Sequence, residues 1–154
     1  MTAVDVSPTA LARGAAQAVA LGVAERVRFE QQDLTRSFPS GTYDLVSAQF
    51  LQSPIEFPRD RILRAAACAV APGGRLLVVA HAAFPPGAPE PRPEVRLPTP
   101  DDDLETLALD LEHWHVERRD IVERSGFRPG GEPTTFIDSV LVVRRLPDPN
   151  INSD

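Results

Sequence analysis

The sequence predicts an α/β domain: an open, mostly parallel sheet in three layers, closed at one edge by an antiparallel hairpin. Three observations carry this. Strand-like and helix-like stretches alternate along the first two thirds of the chain, the pattern of helices crossing over a parallel sheet. Arg75-Leu-Leu-Val-Val-Ala80 is a continuous aliphatic run, which suits a central strand covered on both faces. Two stretches of alternating polarity, His113–Glu123 and Thr134–Arg145, end the ordered sequence with a turn-like Ser125–Glu132 between them.

The elements follow in order. Thr2–Val6 reads as a short strand with Asp5 near its end. Ser7 is a good N-cap and Pro8 suits the first helical position, so a helix is expected from Pro8 to about Leu21. Leu11, Ala15, Ala18 and Gly22 recur at helical spacing and give a small-residue face, with Gly22 as the stop. Arg26–Gln32 alternates and reads as a strand ending at Asp33-Leu34; Ser37–Thr42 is a turn. Tyr43–Gln49 is apolar through its middle, as a buried parallel strand should be. After a loop from Phe50 to Phe57, Pro58 opens a helix carrying Ile62, Leu63, Ala66, Ala69 and Val70, and Pro72-Gly73-Gly74 ends it.

Seven prolines fall between Ala83 and Pro100, a composition that makes an exposed, semi-rigid loop. Thr99 or Asp101 then caps a short helix. Asp101, Asp102, Asp103 and Glu105 suit its N-terminal dipole end better than a metal, because no histidine lies at ligand spacing. His113 and His115 alternate with Trp114 and Val116 and read as solvent-facing positions on an edge strand. One domain is expected over 1–146, followed by a polar, disordered tail at 147–154.

Composition bounds the function. With 154 residues, 42% hydrophobic and 25% charged, the chain has the makeup of a soluble globular domain, and cytoplasmic is the default location. The net charge of −6 argues against a nucleic-acid or anionic-membrane partner, and no apolar run is long enough to span a bilayer. All 16 basic residues are arginine, a codon preference with no functional weight. The one cysteine, Cys68, permits no intrachain disulfide and no cysteine metal site. Its setting, Ala65-Ala-Ala-Cys-Ala-Val70, reads as a helical core pattern in which it is a small buried hydrophobe.

Several of these stretches together resemble the class I S-adenosylmethionine-dependent methyltransferases. The resemblance lies in Thr2-Ala-Val-Asp-Val-Ser-Pro8, Gln32-Asp33-Leu34, Tyr43-Asp-Leu-Val46 and Ala71-Pro-Gly-Gly-Arg-Leu-Leu-Val-Val79, in that order, and in the closing hairpin. Ser47-Ala-Gln-Phe-Leu-Gln-Ser-Pro54 is similar to a bacterial subgroup acting on small molecules. The resemblance runs from residue 2 to about 146 and implies a Rossmann-like sheet with S-adenosylmethionine as cofactor. It implies cofactor contacts for Asp5, which would accept hydrogen bonds from the ribose hydroxyls, and for Val6 beside it. Asp33 would take the adenine amino group, with the Leu34 amide facing a ring nitrogen, and Gln49 would border the methionine part. Phe50 and Gln52 would lie on the substrate side together with His81, which as a general base would have to reach the acceptor's proton. The plain alternatives are a helix-start acid for Asp5, a turn aspartate for Asp33, a strand-end polar residue for Gln49 and a structural histidine for His81.

The family's first strand and its Gly-x-Gly-x-Gly loop have no counterpart in this sequence. We therefore expect a truncated methyltransferase with impaired cofactor binding, the downstream part of a longer enzyme in which Met1 stands at a valine position. A missing central strand would open apolar sheet edges and favour self-association. Two other readings stay open: a non-catalytic binding or assembly module derived from a methyltransferase, and an NAD-dependent oxidoreductase fragment, since a ribose-binding acid serves both cofactors. The Asp33-Leu34 position and the terminal hairpin favour the methyl-donor reading. No catalytic dyad and no metal site is expected.

Overall fold

The computed structural model describes residues 1–53, 56–84, 97–128 and 130–147. Most of the proline-rich stretch and nearly all of the tail discussed above lie outside them. The chain divides into two units, Met1–Pro39 and Ser40–Asp154.

In the first unit, β1 (Thr2–Asp5) and β2 (Arg28–Gln31) pair in parallel and α1 (Pro8–Ala20) connects them. The helix begins where its residues require. The Ser7 hydroxyl accepts the Ala10 N–H at 3.3 Å, and Pro8 stands in the first turn, where its missing N–H costs nothing. It stops at Gly22, whose φ of +67° is the left-handed turn that glycine supplies. Gly14 lets α1 lie close on the sheet: a Cβ there would come within 2.9 Å of the Phe29 ring. A 3-10 turn at Ala24–Arg26 is closed by the Val27 N–H on the Ala24 carbonyl, so β2 starts two residues later than the alternating pattern indicated.

The second unit holds a four-stranded sheet made of β3 (Tyr43–Gln49), β4 (Val70–His81), β5 (Trp114–Phe127) and β6 (Pro133–Arg145), with α2 (Arg59–Cys68) and α3 (Pro100–Leu107). The spatial order is β3-β4-β6-β5, with β3 parallel to β4 and the hairpin adding two antiparallel ladders. The core of this unit joins Ile62, Leu63, Ala66 and Ala67 of α2 to Leu76, Val78 and Ala80 of β4 and to Leu141 and Val143 of β6. Register explains the set, because Leu76 faces Val143, Val78 faces Leu141 and Ala80 faces Ser139. The alternate residues of β4, Leu77 and Val79, are only half-buried, so the aliphatic run is not equally covered on its two faces.

Three expectations change. Tyr43–Gln49 is the predicted strand, yet Leu45 is 57% exposed, because β3 is the edge of its sheet and among the described residues pairs only with β4. Cys68 is exposed, since the buried stripe of α2 runs through 62, 63, 66 and 67 and leaves 68 on the same side as Arg61 and Arg64. Pro72-Gly73-Gly74 does not end a helix, which has already stopped at Cys68; it lies within β4 as a bulge. There β4 runs from Val70 to Arg75 while β3 advances only from Tyr43 to Leu45. Gly73 takes a φ of +82°, and a Cβ on Gly74 would meet the carbonyl oxygens of Ala71 and Asp44 at 2.9 Å and that of Tyr43 at 3.0 Å.

The acids that open α3 each have a local task. Thr99 and Asp102 form a reciprocal capping box, and Asp101 pairs with Arg119 at 3.0 Å. Asp103, 1% exposed, binds Arg59 through both carboxylate oxygens, one of the two contacts being 3.0 Å long. Arg59 also donates from Nε to the Leu51 carbonyl at 3.0 Å. One guanidinium thus fixes the start of α2, the start of α3 and the loop after β3.

Three outcomes are expected. Gly74→Ala forces three backbone carbonyls apart and should cost about 1–3 kcal/mol in urea unfolding; an unchanged midpoint would remove the steric role given to the bulge. Asp103→Ala should cost about 3–5 kcal/mol by leaving the Arg59 charge buried without its counter-charge, whereas Arg59→Met with Asp103→Leu should cost clearly less; equal losses would contradict this. Glu117 of β5 reaches across β6 to Arg75, at 2.7 and 3.0 Å, and these hydrogen bonds hold its carboxyl below the ordinary value of 4.5. A lowered carboxyl stabilises the fold above its unfolded value and loses that contribution as pH falls through the folded one. Glu117→Gln should therefore flatten part of the acid limb of stability, measured by urea unfolding at stepped pH.

Candidate functional site

In the first unit the parallel register sets Asp5 opposite Gln31, and the Gln32 N–H donates to the Asp5 carbonyl at 3.1 Å. The C-terminal ends of β1 and β2 therefore lie side by side, the end of an open α/β sheet where ligands sit. Asp5 Oδ1 accepts the Ser7 N–H at 2.7 Å, which fixes the carboxylate at the strand tip. Its other oxygen has no partner among the described residues, so a pair of hydroxyl donors fits there. Val6 is exposed, and its carbonyl accepts the Gln31 side-chain amide at 3.1 Å.

Asp33 takes the role of a turn aspartate. Its Oδ1 accepts both the backbone N–H of Thr35, at 2.9 Å, and the Thr35 hydroxyl, at 2.7 Å. These bonds, the hydroxyl's first, hold its carboxyl below the usual range, with the charge of Arg36 a lesser cause. Oδ2 is 3.4 Å from the exposed Arg36 and keeps capacity for a donor such as an exocyclic amine. The Leu34 N–H has no acceptor among the described residues. Turn and donor-binding roles are thus compatible at this position.

In the second unit, the C-terminal ends of β3 and β4 meet the N-terminal half of β6 and the C-terminal half of β5. Gln49 closes β3 with its amide on the Ser47 hydroxyl at 2.7 Å. Phe50 follows with a φ of +52°, a strained conformation for a bulky side chain, and its N–H is held by the Val79 carbonyl at 2.7 Å. Gln52 does not offer its side chain to a ligand. Its amide is spent on the backbone of His81, accepting the His81 N–H at 2.9 Å and donating to the His81 carbonyl at 3.1 Å.

His81 is thereby clamped from behind, and its ring lies 4.5 Å from that of Phe50, centre to centre. On its other side stands Asp138, directly opposite it in the β4–β6 ladder and 2% exposed. Asp138 Oδ1 is 3.2 Å from His81 Nδ1, and Oδ2 accepts from Arg124 Nε at 2.7 Å. The Arg124 guanidinium lies over the Phe136 ring at 4.6 Å and over Phe50 at 5.7 Å. Beyond Gln52, an open cleft of about 300 Å³ is lined by Phe57, Arg59, Asp102, Asp103 and Thr106 among others.

The structure brings Phe50, Gln52 and His81 together at this rim. Sequence reasoning missed Arg124, Phe136 and Asp138. The legible signal was an acid interrupting the apolar run of the last strand; its partner depended on a hairpin register that no sequence pattern settles. Among the described residues no group of His, Cys, Asp or Glu is arranged to hold a metal ion, and no helix is long and apolar enough to cross a membrane.

Residues 1–78 match the methyltransferase domain family. No curated protein matches the chain. Among solved structures, it is similar to a protein studied for conversion of a disulfide bond into a thioacetal group during echinomycin biosynthesis. That match has 24% identity and a TM-score of 0.66, and covers 94% of this chain and 66% of that one. The [4+2]-cyclase SpnF matches at 19% identity and a TM-score of 0.62, over 96% and 66%. The N-methyltransferase NodS from Bradyrhizobium japonicum WM9, in complex with S-adenosyl-L-homocysteine, matches at 15% and 0.58, over 94% and 65%. The chain thus spans slightly less than two thirds of the length of these three proteins. The neighbours share the Rossmann-like fold, and the family match over half the sequence leads to one assignment: the chain belongs to the methyltransferase domain family.

Proposed function

We propose that this chain serves S-adenosylmethionine-dependent methyl transfer to a small-molecule acceptor. The observation that carries the reading is Asp5: a carboxylate fixed at a strand tip through one oxygen, with the other oxygen open to a sugar diol. When bound, the cofactor supplies an electrophilic methyl group on a sulfonium. The chain's own residues bind and orient. Asp5 accepts the ribose hydroxyls, with Val6 beside it, and Asp33 Oδ2 and the Leu34 N–H meet the adenine edge. In the second unit, Phe50 and His81 offer a rim for an acceptor, and Gln52 positions His81. Methyl transfer of this kind draws most of its acceleration from alignment and exclusion of water, so a binding site with few reactive side chains is adequate.

Calorimetric titration of the chain with S-adenosylhomocysteine and, separately, with NAD tests this. S-adenosylhomocysteine should bind and NAD should not. Asp5→Ala should weaken the binding at least about tenfold, the value of a lost charge-assisted hydrogen bond. No binding by a natively folded chain, or a preference for NAD, would overturn the proposal.

A further inference from the structure

The two edges of the four-stranded sheet are unlike. Along β5, six of the eight residues 117–124 are charged, a common protection of an edge against another strand. Along β3, Leu45-Val-Ser-Ala-Gln49 holds no charge and no proline, and Leu45 is 57% exposed. We propose that this unprotected edge is a homodimer interface, at which β3 of one copy pairs antiparallel with β3 of a second copy about a two-fold axis at Val46.

The ladder with β4 settles which backbone groups are free. Gln49 stands opposite Val79, yet it is Phe50 that donates its N–H to the Val79 carbonyl. Backbone groups alternate in direction along a strand, so those of Val46 and Ala48 face β4 and those of Leu45, Ser47 and Gln49 face away from it. Among the described residues β3 has no second ladder, so these outward N–H and C=O groups form a template for another strand.

The side chains select the partner. A two-fold interface must be complementary to itself. Val46 is the midpoint of the seven residues Tyr43–Gln49, and an axis there brings the whole strand into register. Tyr43 then faces Gln49, Asp44 faces Ala48, Leu45 faces Ser47 and Val46 faces its own copy. The one acid of the strand meets an alanine, whereas an in-register parallel pair would set Asp44 beside Asp44. An axis at Ser47 would run the ladder onto Phe50, whose φ of +52° has left the strand conformation. With the axis at Val46, Leu45 and Ser47 of opposite copies exchange N–H···O bonds in both directions at each of the two symmetric pairs. Val46 is half-buried beside the buried Leu76, so it carries the apolar layer under α2 across the axis into the second copy. The exposed Leu45 gains cover from Ser47 of that copy.

Sedimentation velocity of the full chain over a concentration series should show a reversible dimer. Ser47→Pro removes an outward N–H that the fold of one copy does not use, and should weaken the dimer at least about tenfold. Ser47→Ala keeps that N–H and should stay within about threefold of wild type. The register is read by cross-linking in a Cys68→Ala background. At a non-hydrogen-bonded antiparallel pair the Cα atoms lie about 4.5 Å apart, within disulfide range, so Val46→Cys should link to its own copy on mild oxidation. Leu45→Cys would stand two residues out of register with its copy, more than about 7 Å away, and should link at least about tenfold more slowly. A chain that stays monomeric, a dimer indifferent to Ser47→Pro, or a Leu45→Cys link as fast as that of Val46→Cys would each overturn the proposal. Should Ser47→Pro fail to fold, the wild-type sedimentation and the two cysteine variants still decide it. Cofactor binding is read by a separate titration at Asp5, so failure here leaves the methyl-transfer reading standing.

Discussion

The Arg59–Asp103 pair is the constraint on which the second unit's rim depends. Its two charges come from helices 44 residues apart in sequence, both largely removed from water, and each is tolerable only because the other is present. Such a pair adds little stability beyond what two apolar side chains could give. What it adds is position: the same guanidinium holds the Leu51 carbonyl, so the loop that begins at Phe50 is tied to two helix starts at once. The loop contributes Gln52, whose amide completes the hydrogen bonding of the last residue of β4. A buried ion pair is in this way connected, through one carbonyl and one amide, to the orientation of an imidazole.

The rim is built by spending flexibility in advance. Phe50 occupies a left-handed backbone conformation that costs about 1–2 kcal/mol for an L-residue with a large side chain. The return is a ring placed against His81 and Arg124 rather than folded into the core. Asp138 is buried between Ile137 and Ser139, which is costly without partners and acceptable with two. The first unit shows the same economy at smaller scale, where Ser7 both caps α1 with its hydroxyl and holds Asp5 with its backbone N–H.

Much of the local structure was legible. Ser7-Pro8 announces a helix start because its chemistry acts within one turn, and Tyr43–Gln49 is a strand at both of its expected ends. The hairpin was visible from alternation alone. What could not be read depends on distance or register. The exposure of Leu45 follows from which strand is at the sheet edge, and that of Cys68 from a helical stripe whose phase is set by Ile62 and Leu63. His81 and Asp138 are 57 residues apart, and their meeting requires both the antiparallel insertion of β6 beside β4 and its exact alignment. Asp5 and Asp33 are local to strand ends and stand out in sequence; Asp138, Arg124 and Phe136 meet around His81 across strands and do not.

The Pro72-Gly73-Gly74 bulge acts at a distance from itself. Below it β3 and β4 meet at Tyr43 and Val70, and above it they meet again at Leu45 and Arg75 with a fixed offset. Edge strands are prone to slide, and a slide of one residue would turn every side chain of β3 to the opposite face. Here a slide would carry the crowded carbonyls of Tyr43 and Asp44 out of the space that only Gly74 leaves for them. The bulge therefore works as an indexing notch. It admits one alignment of β3, and that alignment delivers the N–H of Phe50 to Val79 and starts the loop after β3 at a single point along the rim.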